Sequence, residues 1–560
     1  MTADQPAASG SQPIVSRPVA NETEIFPTLS KEQIARIAPF ARERAFADGQ
    51  VLWGQGESRN SLFVVLEGAV EIRSGQDHLV TTHQVGGFSG DIDLLSGRPV
   101  LVKGQARGAT RVLDLPAERL RGLVQTDAEL SDVFLKAFIA RRLALVDLHE
   151  GSVVLVGSRH SAGTLALQEF LTRNSQPYAY MDVDLDPAVQ GLFDAFGVGV
   201  DDVPVFICRG EGVLKRPTIE EVGDCLGLNR VSEEKVRDLV IIGAGPAGLA
   251  AAVYAASEGL DVLMVEATAP GGQAGSSSRI ENYLGFPTGI TGQDLASRAL
   301  VQAEKFGAEL AVARTAVRLH CDRRPYRIDL GGGVAAQART VIIATGVQYR
   351  RPDLPDLARF EGLGVYYGAT QVEANFCQGE DVIVVGGGNS AGQAAVFLSG
   401  AGRQVNMLVR AAGLSESMSR YLIRRIEETA NIVLRTRMQI EALEGDSRLE
   451  RVTWHDASGA RTTVDIRHVF LMTGAIPNTA WLRNCVALDE KGFVKTGPDL
   501  LESDLDDASW PSSRAPLLFE TSLPGVFAVG DVRSGSVKRV AAAVGEGSVC
   551  VQLVHKILTQ

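Results

Sequence analysis

The feature that most constrains this chain is a glycine-rich turn between an apolar strand and a helix. Its first copy follows Leu239–Ile242 and reads Gly243-Ala-Gly245-Pro-Ala-Gly248. In such a turn the first glycine permits the tight bend, the second lets the backbone approach a pyrophosphate, and the third allows close packing of helix and strand. The phosphates then meet the free N–H groups and the positive end of the helix. The pattern predicts a dinucleotide site contacted by Gly243, Gly245, Pro246, Ala247 and Gly248.

An acidic residue follows this turn at the spacing that a ribose requires. The next predicted strand ends at Glu266, 18 residues after Gly248. A carboxylate there is placed to accept hydrogen bonds from ribose hydroxyls. A glycine turn alone also occurs in ordinary strand–turn–helix units, but here the strand, the helix and the acid follow in order. We therefore predict that Glu266 binds the cofactor.

A second copy of the turn starts 143 residues after the first. Val382–Val385 leads into Gly386-Gly-Gly388-Asn-Ser-Ala391, and the next strand, Gln404–Leu408, is followed by Val409-Arg410 rather than by an acid. An arginine at this place suits the additional phosphate of NADP, which an acid would repel. Arg420 is either a second phosphate contact or a solvent-exposed helical arginine. The predicted contacts are Gly386, Gly388, Asn389, Ser390, Ala391 and Arg410.

Two dinucleotide turns in one chain predict that electrons pass from a nicotinamide to a flavin. Two further apolar segments, Val341–Gly346 and Val526–Asp531, end in small residues that let the backbone pass close to a cofactor. Asp531 is placed to accept hydrogen bonds from the sugar chain of a flavin, the alternative being an N-cap for the next helix. Thr345, Gly346, Gly530 and Asp531 therefore join the predicted contacts.

The balance of charge argues against some partners. The 560 residues include 55 Lys and Arg against 67 Asp and Glu, a net charge of −12, which disfavours an extended surface for nucleic acid or anionic membranes. Residues 1–24 lack the basic start and apolar run of a secretory signal, which predicts a flexible tail and a cytoplasmic protein. The uncharged stretch 239–256 contains the first glycine turn, so we predict no membrane span.

The cysteines exclude several kinds of site by their spacing. No two of the six lie closer than 17 residues, so there is no C-x-x-C motif or zinc knuckle. From the same spacing we expect no disulfide framework and no metal site. Cys377 is single in its segment, which favours a small core residue.

Residues 236–560 resemble the thioredoxin reductase family of FAD- and NADPH-dependent oxidoreductases. Besides both glycine turns, the shared motifs are Gly271-Gly-Gln273-Ala274, Glu281-Asn282, Gly530-Asp531 and Arg539-Val540-Ala541. The resemblance implies FAD contacts at Gly272, Gln273, Asn282 and Asp531, and a helix start at Arg539, Val540 and Ala541 that faces the flavin. It also implies a homodimer whose NADPH domain is inserted into the FAD domain. Where the family has a His-Arg-Arg phosphate motif this chain reads Val409-Arg410-Ala411, so one arginine favours NADPH over NADH.

The chain departs from this family at the redox-active dithiol. The family carries Cys-Ala-Thr-Cys before the second glycine turn, and this chain reads Gly368-Ala-Thr-Gln371. A dithiol relay needs one sulfur to form a mixed disulfide and a second to resolve it. We therefore predict no catalytic side chain at Gly368 or Gln371, and direct electron transfer from FAD to a ferredoxin, a quinone, oxygen or another small molecule. The alternatives are disulfide reduction with cysteines of a partner, and a non-catalytic FAD/NADPH redox sensor that the N-terminal modules read out.

Residues 152–230 resemble a thioredoxin or glutaredoxin fold. The order of predicted strands and helices fits, and Asp202-Val-Pro204-Val205 is similar to the family's cis-proline turn. The position of the family's active site reads Ser158-Arg159-His160-Ser161, without cysteine. We therefore expect a docking module, in which His160 is a surface loop residue rather than a base.

Residues 25–150 resemble a cyclic-nucleotide-binding domain. The motifs are Gly49, Gly56, Gly68 and the segment from Gly87 to Pro99. Asp91 stands where the family has a ribose-binding glutamate, and Val100 stands where it has a phosphate-binding arginine. The lost charge-assisted contact is worth roughly 1.5–3 kcal/mol, so we expect weak or altered ligand binding unless Arg98 replaces it.

These predictions combine into one multidomain α/β architecture. Two Rossmann-like domains follow a β-roll and a thioredoxin-like α/β domain. The predicted limits are a tail at 1–24, a cyclic-nucleotide-binding-like domain at 25–150, a thioredoxin-like domain at 151–232, an FAD domain at 233–346 and 480–560, and an NADPH domain at 347–479.

Overall fold

The computed structural model of the protein describes most of the chain. The described residues are 25–57, 61–74, 77–90, 93–96, 100–147, 153–159, 161–186, 189, 193, 197–208, 212–277, 279–482, 485–506, 510 and 514–559. The sequence also predicts a helix over 187–196. Nearly all of this segment lies outside these ranges, as do Asp91, Arg98 and His160. Short 3-10 helices occur at Ala38–Phe40, Val200–Asp202, Gly331–Gly333, Ala480–Leu482, Gly497–Asp499 and Gly530–Val532.

The N-terminal domain is an antiparallel sheet followed by two helices. Its strands lie in the order β1-β5-β3-β4, with β2 beside β5. Its elements are α1 (Lys31–Ile37), β1 (Arg42–Phe46), β2 (Val51–Trp53), β3 (Ser61–Arg73), β4 (Leu79–His83), α2 (Asp93–Ser96), β5 (Lys103–Pro116), α3 (Ala117–Thr126) and α4 (Ala128–Asp147).

One strand of this sheet is longer than the sequence predicts. Two strands separated by Gly68 are expected, but β3 runs without interruption over 13 residues. Gly68 has a φ of +74°, and the pairing of β3 with β5 shifts register on either side of Glu67. The glycine therefore forms a β-bulge within a continuous strand instead of ending one.

The next unit is a four-stranded mixed sheet with helices. Its strand order is β7-β6-β8-β9, with β6 parallel to β7 and antiparallel to β8. The peptide bond between Val203 and Pro204 is cis. Its elements are β6 (Val153–Gly157), α5 (Ala162–Arg173), β7 (Ala179–Asp182), β8 (Val205–Cys208), β9 (Gly212–Lys215) and α6 (Ile219–Leu226).

The first glycine turn belongs to a larger sheet that begins at Val236. The strand order is β12-β11-β10-β15-β14-β13, and β10 is parallel to both of its neighbours. The elements are β10 (Val236–Ile242), α7 (Pro246–Ser257), β11 (Val262–Glu266), α8 (Gly272–Gly275), α9 (Gly292–Lys305), β12 (Glu309–Val312), β13 (Ala316–His320), β14 (Tyr326–Leu330) and β15 (Ala335–Ile343).

The second glycine turn belongs to a separate parallel sheet, of order β17-β24-β18-β19-β20. The chain enters and leaves this part through the antiparallel pair β16 and β25. The elements are β16 (Val347–Tyr349), α10 (Leu357–Phe360), β17 (Val365–Tyr366), α11 (Gln371–Phe376), β18 (Asp381–Val385), α12 (Asn389–Leu398), β19 (Gln404–Val409), α13 (Arg420–Glu428), β20 (Ile432–Thr436), β21 (Gln439–Glu444), β22 (Arg451–His455), β23 (Arg461–Val464), β24 (His468–Leu471) and β25 (Ala475–Pro477).

The chain then returns to the first large sheet. After α14 (Glu502–Asp506), strand β26 (Val526–Ala528) pairs in parallel with β15, and α15 (Val540–Leu558) packs along α7. The first large sheet is therefore built from two parts of the chain, one before and one after the segment that forms the second sheet. Across the described ranges, no helix has the length and apolar character needed to cross a membrane.

Two disulfides contradict the expectation of no disulfide framework. Cys208 pairs with Cys225 and Cys321 with Cys485, with Cα–Cα distances of 6.4 and 5.7 Å. The first pair joins the end of β8 to α6, and the second joins the end of β13 to the segment after Leu482. Spacing along the chain missed both pairs because the fold brings distant segments together.

Helix α9 connects the N-terminal domain with the first large sheet. Its Val301 is buried in the same hydrophobic cluster as Leu123 and Phe134 of the N-terminal domain. Next to it, Lys305 Nζ donates to Ser131 Oγ at 3.0 Å, and Gln125 donates to the Lys305 carbonyl at 3.1 Å. The two domains therefore share part of one core.

Candidate active site

The first glycine turn has the geometry that the sequence predicts. Gly243 has a φ of +105°, and a Cβ on it would collide with the carbonyl oxygen of Ala344. A Cβ on Gly248 would collide with the Gly243 carbonyl oxygen. Helix α7 begins at Pro246, with Gly245 as its N-cap residue, so no side chain covers its first N–H groups. The turn thus presents bare backbone to a phosphate.

Glu266 lies beside this turn at the end of β11. Its Oε2 accepts a hydrogen bond from the Ala244 N–H at 2.8 Å, and its Oε1 accepts one from the Thr268 N–H at 3.0 Å. These two backbone donors hold the carboxylate next to the helix that begins at Pro246. The arrangement fits a carboxylate that receives ribose hydroxyls on its remaining lone pairs.

The segment Gly271–Gly275 packs against the turn from the other side. The Gly271 N–H donates to the Ala244 carbonyl at 2.7 Å. A Cβ on Gly272 would lie 3.2 Å from Gly245 Cα, so the two glycine backbones touch. Gln273 Nε2 donates to the Val347 carbonyl at 2.8 Å, at the strand through which the chain leaves this domain.

Gly530 and Asp531, in the C-terminal part of the chain, lie beside helix α7, which follows the first glycine turn. A Cβ on Gly530 would lie 2.9 Å from Ala247 Cβ, and the Gly530 N–H donates to Glu546 at 2.7 Å. Burial raises the pKa of Asp531, Lys538 opposes this rise, and the charge of Glu546 adds to it. The alternative role as an N-cap is wrong, because the next long helix begins at Val540 with Arg539 as its N-cap residue. A partly buried carboxylate here is suited to accept ligand hydroxyls.

Thr345 and Gly346 lie where the chain passes from one large sheet to the other. Thr345 Oγ1 donates to the Asn478 carbonyl, and Asn478 Nδ2 donates back to the Thr345 carbonyl, both at 2.9 Å. The Asn478 N–H also donates to the Gly346 carbonyl at 3.1 Å. Asn478 thereby fastens the outgoing strand to the returning one. Sequence reasoning missed it, because an isolated Asn after Pro477 carries no pattern.

The second glycine turn is equally tight. Gly386 has a φ of +142°, and a Cβ on it would lie 2.5 Å from the Met472 carbonyl oxygen. Helix α12 begins at Asn389, whose Oδ1 accepts hydrogen bonds from the Ser419 N–H and hydroxyl. Arg410 follows the last residue of β19 and is exposed, as is Arg420 at the first position of α13.

Tyr349 lies near residues of both turns, and no sequence pattern selects it. It ends β16 and is largely buried. Burial raises the pKa of Tyr349, a hydrogen bond with Ser390 opposes the rise, and the charge of Asp531 adds to it. Ser390 belongs to the second turn and Asp531 to the first group of residues. Tyr349 is therefore near residues of both candidate sites.

Several residues that the resemblance assigns to the FAD site are exposed on the surface. Asn282 is exposed, and its neighbour Glu281 forms an ion pair of 2.7 Å with Arg425 of the second sheet's domain. Arg539, Val540 and Ala541 form the start of α15, where the first and third of them are exposed.

The segment that replaces the dithiol is a helix start. The Thr370 N–H and hydroxyl donate to the Glu373 carboxylate, and Glu373 is on α11. At Gly368 an added Cβ would meet no described atom within 4 Å. Cys377 is fully buried, its thiol donates to the Glu373 carbonyl at 3.1 Å, and burial raises its pKa. The prediction that Cys377 is a core residue is confirmed.

Val100 of the N-terminal domain is buried inside the sheet. It packs in one cluster with Trp53, Phe63 and Val112, and the rings of Trp53 and Phe63 are stacked 5.7 Å apart. The place that the resemblance assigns to a phosphate-binding arginine therefore belongs to an apolar core.

The two dinucleotide turns, one on a mixed sheet and one on a parallel sheet, are joined by a short antiparallel pair and define an oxidoreductase that uses two nucleotide cofactors. Comparison with known proteins gives the family. Residues 237–547 match the model of the pyridine nucleotide-disulphide oxidoreductases, and the chain belongs to this family. Residues 43–127 match the cyclic nucleotide-binding domain.

Relatives that are similar to this chain include thioredoxin reductases. The enzyme of Bacillus subtilis (strain 168) is 32% identical over 326 residues, which are 58% of this chain and 96% of the relative. The enzyme of Mycolicibacterium smegmatis is 33% identical over 318 residues, 56% of this chain and 94% of the relative. The crystal structure of Lactococcus lactis thioredoxin reductase in its FR conformation is 26% identical, with a TM-score of 0.51, over 58% of this chain and 99% of that one.

The residues present fit the cofactors of this family. The chain is an FAD-dependent NAD(P)H oxidoreductase of the thioredoxin reductase type, with FAD and NADPH as cofactors. The bare turn at Gly243–Gly248, the fixed carboxylate of Glu266 and the partly buried carboxylate of Asp531 supply the donors and acceptors that a dinucleotide needs. An exposed arginine after β19 suits a phosphate on the second nucleotide.

Proposed function

We propose that this enzyme passes electrons from NADPH through FAD directly to an acceptor that is not a protein disulfide. The acceptor classes are a ferredoxin, a quinone, oxygen or another small molecule. One observation carries the proposal, which is the sequence Gly368-Ala-Thr-Gln371 at the position of the family's dithiol. A glycine and a glutamine cannot form or resolve a mixed disulfide.

The cysteines elsewhere in the chain do not replace this dithiol. Cys377 and Cys550 are buried, and burial raises the pKa of both thiols, which keeps them protonated and poor nucleophiles. The disulfide between Cys321 and Cys485 lies at the end of β13. This edge strand is separated from β10 by the two strands β15 and β14. Cys208 and Cys225 join within the domain around β6, outside both nucleotide domains.

We propose roles for the residues around the two turns. Gly243–Gly248 and Glu266 hold the pyrophosphate and ribose of FAD, while Gln273 and Asp531 hold the part nearer the flavin. The turn at Gly386–Ala391 and Arg410 hold NADPH. We also propose a homodimer, in line with the resemblance to thioredoxin reductases.

Anaerobic reduction tests the proposal. The purified protein is expected to be yellow, and NADPH is expected to bleach its flavin absorbance within seconds. A panel of ferredoxin, quinones and oxygen is then expected to restore the colour with at least one acceptor, whereas thioredoxin with a chromogenic disulfide gives no turnover. Robust thioredoxin turnover would favour disulfide reduction with cysteines of a partner. Bleaching over many minutes would favour a redox sensor.

We propose that the N-terminal domain keeps its fold without strong affinity for cyclic nucleotides. The support is Val100, which is buried where an arginine would bind phosphate. Calorimetric titration with cAMP and cGMP is expected to give dissociation constants above the micromolar range, and micromolar binding would contradict this.

A further inference from the structure

The loop that follows β11 lies beside the first glycine turn, and we call its residues 268–272 the cofactor loop. Gly271 and Gly272 have positive φ values of +99° and +54°, and the Gly272 backbone touches the first glycine turn. Thr268 begins the loop, and its N–H donates to the Glu266 carboxylate at 3.0 Å. Two consecutive glycines can adopt many backbone conformations. A neighbour that holds one of them therefore lowers the entropy that is lost when a ligand binds at this loop.

Arg173, the last residue of α5, holds the cofactor loop. Its Nη2 donates to the Gly272 carbonyl at 3.0 Å, and its Nη1 pairs with Glu169, one helical turn earlier, at 3.3 Å. Only 16% of the Arg173 side chain is exposed. The next residue, Asn174, donates from Nδ2 to the Thr268 carbonyl at 2.9 Å. The C-terminal end of α5 is therefore bonded to the cofactor loop at both ends of the loop.

The segment that carries Arg173 is itself held by two other helices. Gln293 on α9 donates from Nε2 to the Arg173 carbonyl at 2.9 Å. Arg142 on α4 of the N-terminal domain donates from Nε to the Ser175 carbonyl at 2.8 Å and from Nη2 to Gln176 Oε1 at 3.0 Å. Arg142 and Gln176 are both buried. Because its backbone is fixed in this way, the guanidinium is preorganised to contact the cofactor loop.

Arg173 does not belong to the part of the chain that matches the family. That match covers residues 237–547, whereas Arg173 lies in the domain that contains strands β6 to β9. The FAD contacts that the resemblance implies therefore do not include this residue. A hydrogen bond from a guanidinium to a carbonyl is charge-assisted, and it is stronger than one between neutral groups.

We propose that Arg173 is a positioning residue for FAD, which fixes the Gly272 carbonyl and so shapes the cofactor loop before the cofactor binds. The proposal rests on the assignment of FAD to the first glycine turn, which is part of the proposed function. It makes the domain of strands β6 to β9 a contributor to the FAD site. Because linkage is reciprocal, FAD strengthens the contact between α5 and the cofactor loop by the same free energy.

Titration of the apoprotein with FAD, followed by the quenching of FAD fluorescence, tests the proposal. Arg173→Gln is expected to raise the dissociation constant of FAD about tenfold, because a charge-assisted hydrogen bond to the loop is lost. Arg173→Lys keeps a charged donor and is expected to stay within about threefold of the unmodified protein. Arg159→Gln is the matched control, since Arg159 forms an ion pair of 3.5 Å with Asp182 inside the same domain.

Three results of this titration would overturn the proposal. They are an unchanged dissociation constant in Arg173→Gln, an equal rise in Arg159→Gln, and a loss in Arg173→Lys as large as that in Arg173→Gln. The last result would assign the effect to packing instead of a hydrogen bond.

Thermal unfolding separates positioning from a general loss of stability. At one fixed FAD concentration, the rise in melting temperature that FAD causes is expected to be smaller in Arg173→Gln than in the unmodified protein. A purely structural role would lower the melting temperatures of apoprotein and holoprotein equally. An equal FAD-induced rise in the two proteins would therefore contradict the proposal.

Hydrogen exchange of the unmodified protein decides the matter even where a variant fails to fold. The amides of residues 170–174 are expected to exchange more slowly in the holoprotein than in the apoprotein, while those of strand β9 exchange at equal rates. No slowing at 170–174, or equal slowing in β9, would overturn the proposal. Absence of bleaching by NADPH would count against the proposed function alone, because FAD binding and exchange are measured without NADPH.

Discussion

A methyl group added to Gly243 would collide with the carbonyl oxygen of Ala344, whereas one added to Gly259 would meet no described atom within 4 Å. Both glycines have positive φ, +105° and +88°. They therefore share the cost of a left-handed backbone, about 1–2 kcal/mol for any other residue. The two positions thus differ in the collision with Ala344, and not in the strain of a positive φ.

Gly243→Ala is expected to yield protein that has lost most of its flavin. The backbone must shift to relieve the collision, and the first helical N–H groups then leave the pyrophosphate position. The measurement is flavin absorbance per chain after purification, with Gly259→Ala as control. Equal retention of FAD in the two variants would remove Gly243 from the cofactor site.

Arg410→Ala is expected to weaken NADPH at least tenfold and NADH less than twofold. A charge-assisted contact to phosphate is worth about 1.5–3 kcal/mol, and NADH lacks this phosphate. Titration of each nucleotide against the oxidised protein measures the effect. Arg424→Ala is the control, because Arg424 is exposed on α13 and pairs with Glu428. Equal losses for both nucleotides would place Arg410 elsewhere.

The residues whose local structure agrees with the sequence-based prediction are those with a local pattern. The turns at Gly243 and Gly386 follow from strand, glycines and helix in order, and Glu266 follows from its distance to them. Tyr349 and the disulfide Cys208–Cys225 could not be predicted in this way, because their partners are distant along the chain. Contacts between residues that are distant along the chain can be recognised only when the fold is known.

At the scale of elements, small residues decide how closely α15 lies on α7. A Cβ on Gly547 would collide with the Ala247 carbonyl oxygen, while a Cβ on Gly545, two residues earlier, would meet no described atom within 4 Å. Both glycines lie inside α15, so the gain in helix propensity from alanine is the same, about 1 kcal/mol.

Opposite effects on stability are therefore expected from two neighbouring substitutions. Gly545→Ala should raise the melting temperature by a few degrees. Gly547→Ala should lower it, because the helices must separate at the carbonyl of Ala247. Thermal unfolding followed by circular dichroism measures both, and a stabilised Gly547→Ala variant would contradict the packing described here.

Three parallel strands are also joined by charge at their N-terminal ends. Arg237 on β10 is buried and pairs with Asp261 at 2.8 Å and with Glu309 on β12 at 2.7 Å. The hydrogen bond from Arg237 lowers the pKa of Glu309, against the effect of burial. Its stabilising contribution is therefore present above the ordinary glutamate pKa, about 4.3, and is lost as the pH falls through the lowered pKa.

Glu309→Gln is expected to destabilise the protein by about 1 kcal/mol at pH 7, since Glu309 is half exposed and Asp261 remains as a partner. The difference from the unmodified protein should shrink as the pH drops below about 4.3. Melting temperatures from pH 3 to 7 measure it. A difference that stays constant over this range would mean that Glu309 acts by packing instead of charge.

For the whole molecule, the two disulfides stabilise loops of very different length. Their sequence separations are 17 and 164 residues. Loop-closure entropy alone gives about 3 kcal/mol for the shorter and about 5 kcal/mol for the longer. Such bonds are uncommon in reducing compartments, so the cytoplasmic location predicted from the sequence remains a prediction.

Thiol counting checks the pairs directly. Protein unfolded without reductant is expected to show two free thiols, those of Cys377 and Cys550, and six after reduction. The double variant Cys321→Ser, Cys485→Ser should then lose more stability than Cys208→Ser, Cys225→Ser. Six thiols in the untreated protein would show that neither bond forms.

Val301 on α9 completes a core that otherwise belongs to the N-terminal domain. Ala296, on the same helix, packs against the backbone of Gly271 beside the first nucleotide turn. Helix α9 therefore packs against two domains. If the nucleotide-binding domains were joined to a different N-terminal domain, Val301 would lose the apolar residues that it packs against. An exchange of the N-terminal domain must therefore redesign α9 as well.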